Sequence, residues 1–99
     1  MSQTVITKIT AAFKYPAGKP IMKALKPGDD LKLVREPTNA FDPNAIKVMG
    51  FTPAAENEEV DLVQLGYVPA PVAAQLKHAK FTSCKKSGAA WDEITIEIA

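Results

Sequence analysis

His78 and Cys84 are the side chains of this 99-residue chain that come nearest to a base and a nucleophile. A thiol activated by an imidazole could attack an acyl carbon. No motif surrounds either residue, however. His78 closes the one good helical pattern and Cys84 sits in the strand that follows, so a surface imidazole and a buried thiol account for both. With a single His and a single Cys, the chain lacks the ligands of a thiolate or imidazole zinc site, and the nearby acids show no ligand spacing. Asp29-Asp30 and Glu58-Glu59 are adjacent pairs; neighbours on a strand face opposite ways and make poor partners for shared acid–base work. Pro16-Ala17-Gly18-Lys19-Pro20 lacks the glycine spacing of a phosphate loop. The expectation is a chain with no catalytic residue, no metal and no cofactor.

What remains is the chemistry of a binding surface. From Met1 to Lys26 there are five lysines (Lys8, Lys14, Lys19, Lys23, Lys26) and no acid, whereas four acids fall between Glu56 and Asp61. A face built from the first segment is basic although the net charge is only +1; the plainer reading of those lysines is a solvated surface. Glu36–Pro43 is a polar, proline-punctuated loop in which Phe41 stands between Asn39 and Asp42. Phe41 is open to two readings, a plug in the core or an exposed ring. Asp42 is likewise either a cap for the Pro43-Asn44 turn or a contact for a ligand.

The elements that must position these residues are short. Thr4–Phe13 is a strand with imperfect alternation, because Ile6 falls on its more polar side. Met22–Leu25 is a short strand candidate between two turn segments, Pro16–Pro20 and Pro27–Asp30. Leu31–Arg35, Ala45–Met49, Leu62–Val68 and Phe81–Lys85 follow as strands, with an exposed loop over Gly50–Asp61. Pro69 to about Lys77 is the good helix, opened by Ala70 or Pro71, since Pro is tolerated in the first turn. Glu93–Ile98 has the cleanest period of two, with Ile94, Ile96 and Ile98 on one face. The pattern predicts one domain over residues 1–99, mainly β (α+β): a small six-stranded OB-like or SH3-like β-barrel with one or two short helices.

Arg35-Glu36-Pro37-Thr38-Asn39-Ala40-Phe41-Asp42-Pro43-Asn44-Ala45-Ile46-Lys47-Val48 closely resembles the signature of the HIRAN domain family, R-[ED]-P-x-N-x-[YF]-D-x-N-A-I-x-V. Pro27-Gly28-Asp29 fits the approach to that signature, and Leu65-Gly66-Tyr67-Val68-Pro69 with the following helix fits the second block. The resemblance implies a modified OB-like barrel that captures the free 3′-hydroxyl end of single-stranded DNA. Members occur fused to SWI/SNF-type ATPases that remodel stalled forks, fused to nucleases, and as short stand-alone bacterial proteins; this chain resembles the last.

Carried onto this chain, the resemblance places Phe41 against a base and gives Asp42 the terminal 3′-hydroxyl. The Asp42 charge would repel a 3′-phosphate. Lys14-Tyr15 is similar to the basic–aromatic pair that ends the first strand, with Lys14 on a phosphate and Tyr15 on a second base. Tyr67 stands where an aromatic or histidine touches the strand, and Trp91 near the family's final aromatic. Tyr15, Tyr67 and Trp91 each have a second reading as core residues. Arg35 is expected to brace the loop through main-chain carbonyls or Glu36.

The chain departs from the family at Pro16, where a tyrosine is common, and at Ala70, where a eukaryotic relative has lysine. These departures motivate the alternative of a protein-interaction or structural module that has lost DNA binding; Lys19, Lys77 or Lys80 could instead compensate. The expected partners are single-stranded DNA and a DNA-repair helicase or nuclease acting in trans, with the domain monomeric. No signal peptide and no membrane-spanning run is read in the sequence, and the lone cysteine fits a cytoplasmic location.

Overall fold

Ile94, Ile96 and Ile98 are buried along the last strand, while Glu93, Thr95 and Glu97 between them keep part of their surface in solvent. The same period of two places Ile46 and Val48 inward from one strand and leaves Ile6, the misfit of the first, 63% exposed. The computed structural model describes residues 3–16, 18–51, 62–88 and 90–99. Within them the strands are β1 (Gln3–Lys8), β2 (Asp30–Arg35), β3 (Ile46–Phe51), β4 (Leu62–Tyr67), β5 (Phe81–Lys86) and β6 (Glu93–Ile98). Two short helices, α1 (Gly18–Ala24) and α2 (Ala70–Gln75), and one 3-10 turn (Ala12–Lys14) complete the described elements. The acidic cluster Glu56–Asp61 and most of the loop expected over Gly50–Asp61 lie outside the described residues.

The sheet has the strand order β1-β6-β5-β2-β3-β4, and every neighbouring pair is antiparallel. The expected closed barrel is not what this ladder forms. β2 and β5 are joined by only two residue pairs, Asp30↔Lys85 and Leu31↔Cys84. The outer strands β1 and β4 share no ladder; Thr10, just past β1, meets Tyr67 of β4 in a single antiparallel bridge. The pairing stops there because Ala11 takes a left-handed conformation (φ 61°) and the chain turns into the 3-10 helix. The sheet is therefore open, with one bridge across its gap.

The second correction concerns Met22–Leu25, expected as a strand. It belongs to α1 and its immediate continuation. Ile21 and Met22 are buried and Leu25 packs against the core, a helical spacing that delivers one apolar stripe. The Leu25 N–H donates to the Ile21 carbonyl at 3.0 Å. Pro20 is tolerated because it lies in the first turn. Met22, Ile46, Val48, Leu65, Ile94 and Ile96 are the large side chains fully withdrawn from solvent, so α1 and the sheet share one core.

Candidate nucleic-acid interface

The connection between β2 and β3 is shaped by its own polar side chains. Asn39 Oδ1 accepts the N–H groups of Phe41 at 2.9 Å and Asp42 at 3.0 Å. Asp42 Oδ1 in turn accepts the Asn44 N–H at 2.9 Å. Such bonds from side chain to nearby backbone satisfy a loop that has no ladder to join. With its amide held this way, the Phe41 side chain stands 99% exposed. The reading of Phe41 as a core plug is therefore excluded. Asp42 serves its turn through one oxygen, and its other oxygen takes no hydrogen bond from the described residues.

Opposite this loop lie the 3-10 turn and the end of β4. The Thr10–Tyr67 bridge is closed by two backbone bonds of 2.8 and 2.9 Å. Such close approach requires glycine at 66, since a Cβ there would sit 2.6 Å from the Thr10 carbonyl oxygen. The bridge brings Tyr15 and Tyr67 together, with ring centroids 6.0 Å apart and planes inclined by 59°, a favourable tilted arrangement. Burial, followed by the neighbouring Tyr67 hydroxyl, pushes the Tyr15 phenol up to about 12, so it remains neutral at physiological pH.

Between the two walls is an open cleft of about 410 Å³, lined by Lys14, Tyr15, Phe41, Asp42 and Tyr67 together with Asn39 and Ala70 among others. Five of the residues singled out in the sequence thus share one concavity, contributed by three separate parts of the chain. Trp91 is not among its lining residues. It is half-buried in the β5–β6 connection, packed against the core, with Lys19 Nζ 5.3 Å from its ring centroid. Lys77 and Lys80 are exposed.

One residue ties the walls together. Glu36 Oε1 accepts from Asn39 Nδ2 at 2.6 Å and from the Tyr67 hydroxyl at 3.1 Å, while Glu36 Oε2 pairs with Lys47 Nζ at 2.8 Å. The Lys47 ammonium, then the Asn39 amide, hold the Glu36 carboxyl below its ordinary range, and Lys47 is raised in return. Sequence reasoning offered Glu36 only as a partner for Arg35. Of its two expected partners Arg35 takes main-chain carbonyls and not Glu36, donating to Leu76 at 2.8 Å and Ala79 at 2.6 Å just past α2, away from its own loop, and it lies 4.6 Å from the Phe81 ring centroid.

Cys84 and His78 meet different surroundings in the structure. Cys84 is buried and desolvation pushes its thiol up to about 12, far from a thiolate nucleophile, while His78 is exposed. Among the described residues, no group of three or more His, Cys, Asp or Glu side chains is placed to hold a metal ion. No described helix is long and apolar enough to cross a membrane.

The sequence matches the family model of the HIRAN domain over residues 4–88. The chain belongs to the HIRAN domain family. Its structure is similar to the crystal structure of the HIRAN domain of human HLTF, with a TM-score of 0.62 and 17% sequence identity, covering 98% of this chain and 76% of that one. At that identity the likeness speaks for the fold. Comparison with curated protein sequences gives no match. HIRAN domains are in general nucleic-acid-binding modules, and in this one the family signature forms the Phe41-Asp42 wall of the cleft.

Proposed function

We propose that this HIRAN domain binds single-stranded DNA by its free 3′-hydroxyl end and performs no chemistry of its own. The observation that carries the reading is the pairing of a wholly exposed Phe41 ring with the Asp42 carboxylate at the mouth of a cleft whose far wall is aromatic. A volume of about 410 Å³ suits a small ligand such as a terminal nucleotide. Phe41 and Tyr15 offer faces for bases, which stack without regard to sequence. The Asp42 oxygen that takes no hydrogen bond from the described residues is an acceptor for a hydroxyl and a repellent for a phosphate. Lys14, beside Tyr15, faces the backbone charge. A DNA-repair helicase or nuclease acting in trans would use a monomeric domain of this kind to find strand ends.

The second reading, a protein-interaction module, has one observation in its favour. Ala70 lines the cleft, so a methyl group stands where a relative has lysine. A fluorescence titration separates the two. Replacing Phe41 with Ala is expected to weaken binding of a short single strand by about 1–3 kcal/mol. A wild-type domain with no salt-dependent affinity for any oligonucleotide would favour the protein-interaction reading.

A further inference from the structure

Asp42 is not the only charge near the proposed terminal sugar. Directly behind the cleft wall, Glu36 and Lys47 form an ion pair at 2.8 Å. Both side chains are only partly exposed, at 31% for Lys47 and 21% for Glu36. The pair is not placed to brace the strands alone. Lys47 lies opposite Tyr67 in the β3–β4 register, and the Glu36 carboxylate also holds the Tyr67 hydroxyl and the Asn39 amide. Asn39 in turn holds the backbone of Phe41 and Asp42. One carboxylate is thus bonded to both walls of the cleft while it cancels a cation that stands one side chain behind them.

An uncancelled ammonium at that position would attract any extra negative charge placed at the strand end. A 3′-terminal phosphate carries close to two negative charges, against none for a hydroxyl. Asp42 alone would then have to oppose Lys47 as well as hold the sugar. The neutrality of the pair keeps Lys47 from adding to the positive charge that Lys14 already brings to the cleft, so Asp42 is opposed by one cation and not by two.

Resting on the reading of the cleft as a 3′-end site, we infer that Glu36 is a positioning residue that sets end selectivity, by neutralising Lys47 behind the cleft while anchoring Tyr67 and the Asn39 turn. Lys47 is the matching half of the device. The two residues act on the ratio of affinities for the two kinds of end, beyond any effect on overall tightness.

The test is a set of single-strand titrations with two probes, one oligonucleotide ending in a 3′-hydroxyl and the same strand ending in a 3′-phosphate. Glu36→Gln leaves Lys47 unmatched, and the preference for the hydroxyl end should shrink by about threefold. Lys47→Met leaves Glu36 unmatched, and the preference should grow by a similar factor. The double variant should return to the wild-type ratio. A loosened loop would weaken both probes together and leave the ratio unmoved, so the opposite shifts are the signature. If Glu36→Gln does not fold, Lys47→Met still decides the matter, because an unchanged or reduced preference overturns the inference. A wild type that prefers the hydroxyl end, with variants that keep its ratio, sinks this inference alone. A wild type that binds neither probe removes the site reading and this inference with it.

Discussion

Two loops of this molecule each carry an aromatic ring and treat it in opposite ways. In the β2–β3 connection Phe41 is 99% exposed; in the β5–β6 connection Trp91 is half-buried against the core beneath Lys19. The difference lies in what holds the backbone. Around Phe41, the Asn39 and Asp42 side chains bond to nearby main chain and Glu36 secures Asn39, so the ring is not needed to keep the loop in shape. The other connection is pinned from β5, where the buried Lys86 ammonium donates to the carbonyls of Ser87 at 3.0 Å and Ala90 at 2.8 Å, and the neighbouring Trp91 ring supplies apolar contact. The Phe41 ring is released from structural work, whereas the Trp91 ring packs on the core beside its own loop.

The contrast can be broken by substitution. Trp91→Ala should have the largest effect on the fold, about 2 kcal/mol of lost stability, less than for a fully buried Trp because the ring is only half-buried. Thermal unfolding would show it as a lowered Tm. Retained stability together with a loss of oligonucleotide binding would mean that Trp91 is a contact after all. Phe41→Ala should do the reverse, leaving Tm within the small scatter of surface changes while costing the binding described above. Asn39→Ala tests the scaffold between them. It removes the acceptor of two N–H groups and should cost about 1 kcal/mol of stability, with weaker binding because Phe41 and Asp42 lose their fixed geometry. An Asn39→Ala domain that binds as tightly as wild type would show that the ligand, not the loop, orders this wall.

How much of this was legible in the sequence follows from range. The Glu93–Ile98 strand was read correctly in full, because alternating isoleucines are a local signal that burial on one face explains. The polar turn around Asn39 is legible for the same reason, since its bonds reach only two or three residues along the chain, whereas the exposure of Phe41 is legible only through the family resemblance. Helix α1 was not, because Gly18 and Pro20 read as turn punctuation. Gly18 is small there to let the helix approach the Leu65 carbonyl, a tertiary demand. Trp91 is linked to the interface by the family resemblance alone, and its approach to Lys19 of that helix is a tertiary contact that no spacing along the chain announces. The link from Glu36 to Tyr67 depends on the β3–β4 register, which places Tyr67 opposite Lys47, and no spacing along the chain announces it. Closure of the barrel failed for want of the same information: Ala11 is an ordinary residue in sequence, and its left-handed turn ends the pairing.

In the proposed function a terminal sugar is received between the exposed ring and the carboxylate beside it. The most direct measurement is the affinity of the wild-type domain for one oligonucleotide with its 3′ end free and with the same end phosphorylated, at a single low salt concentration. Clearly tighter binding of the free end is expected, through the Asp42 oxygen that takes no hydrogen bond from the described residues. Equal affinity for the two ends, or tighter binding of the phosphorylated one, would contradict it.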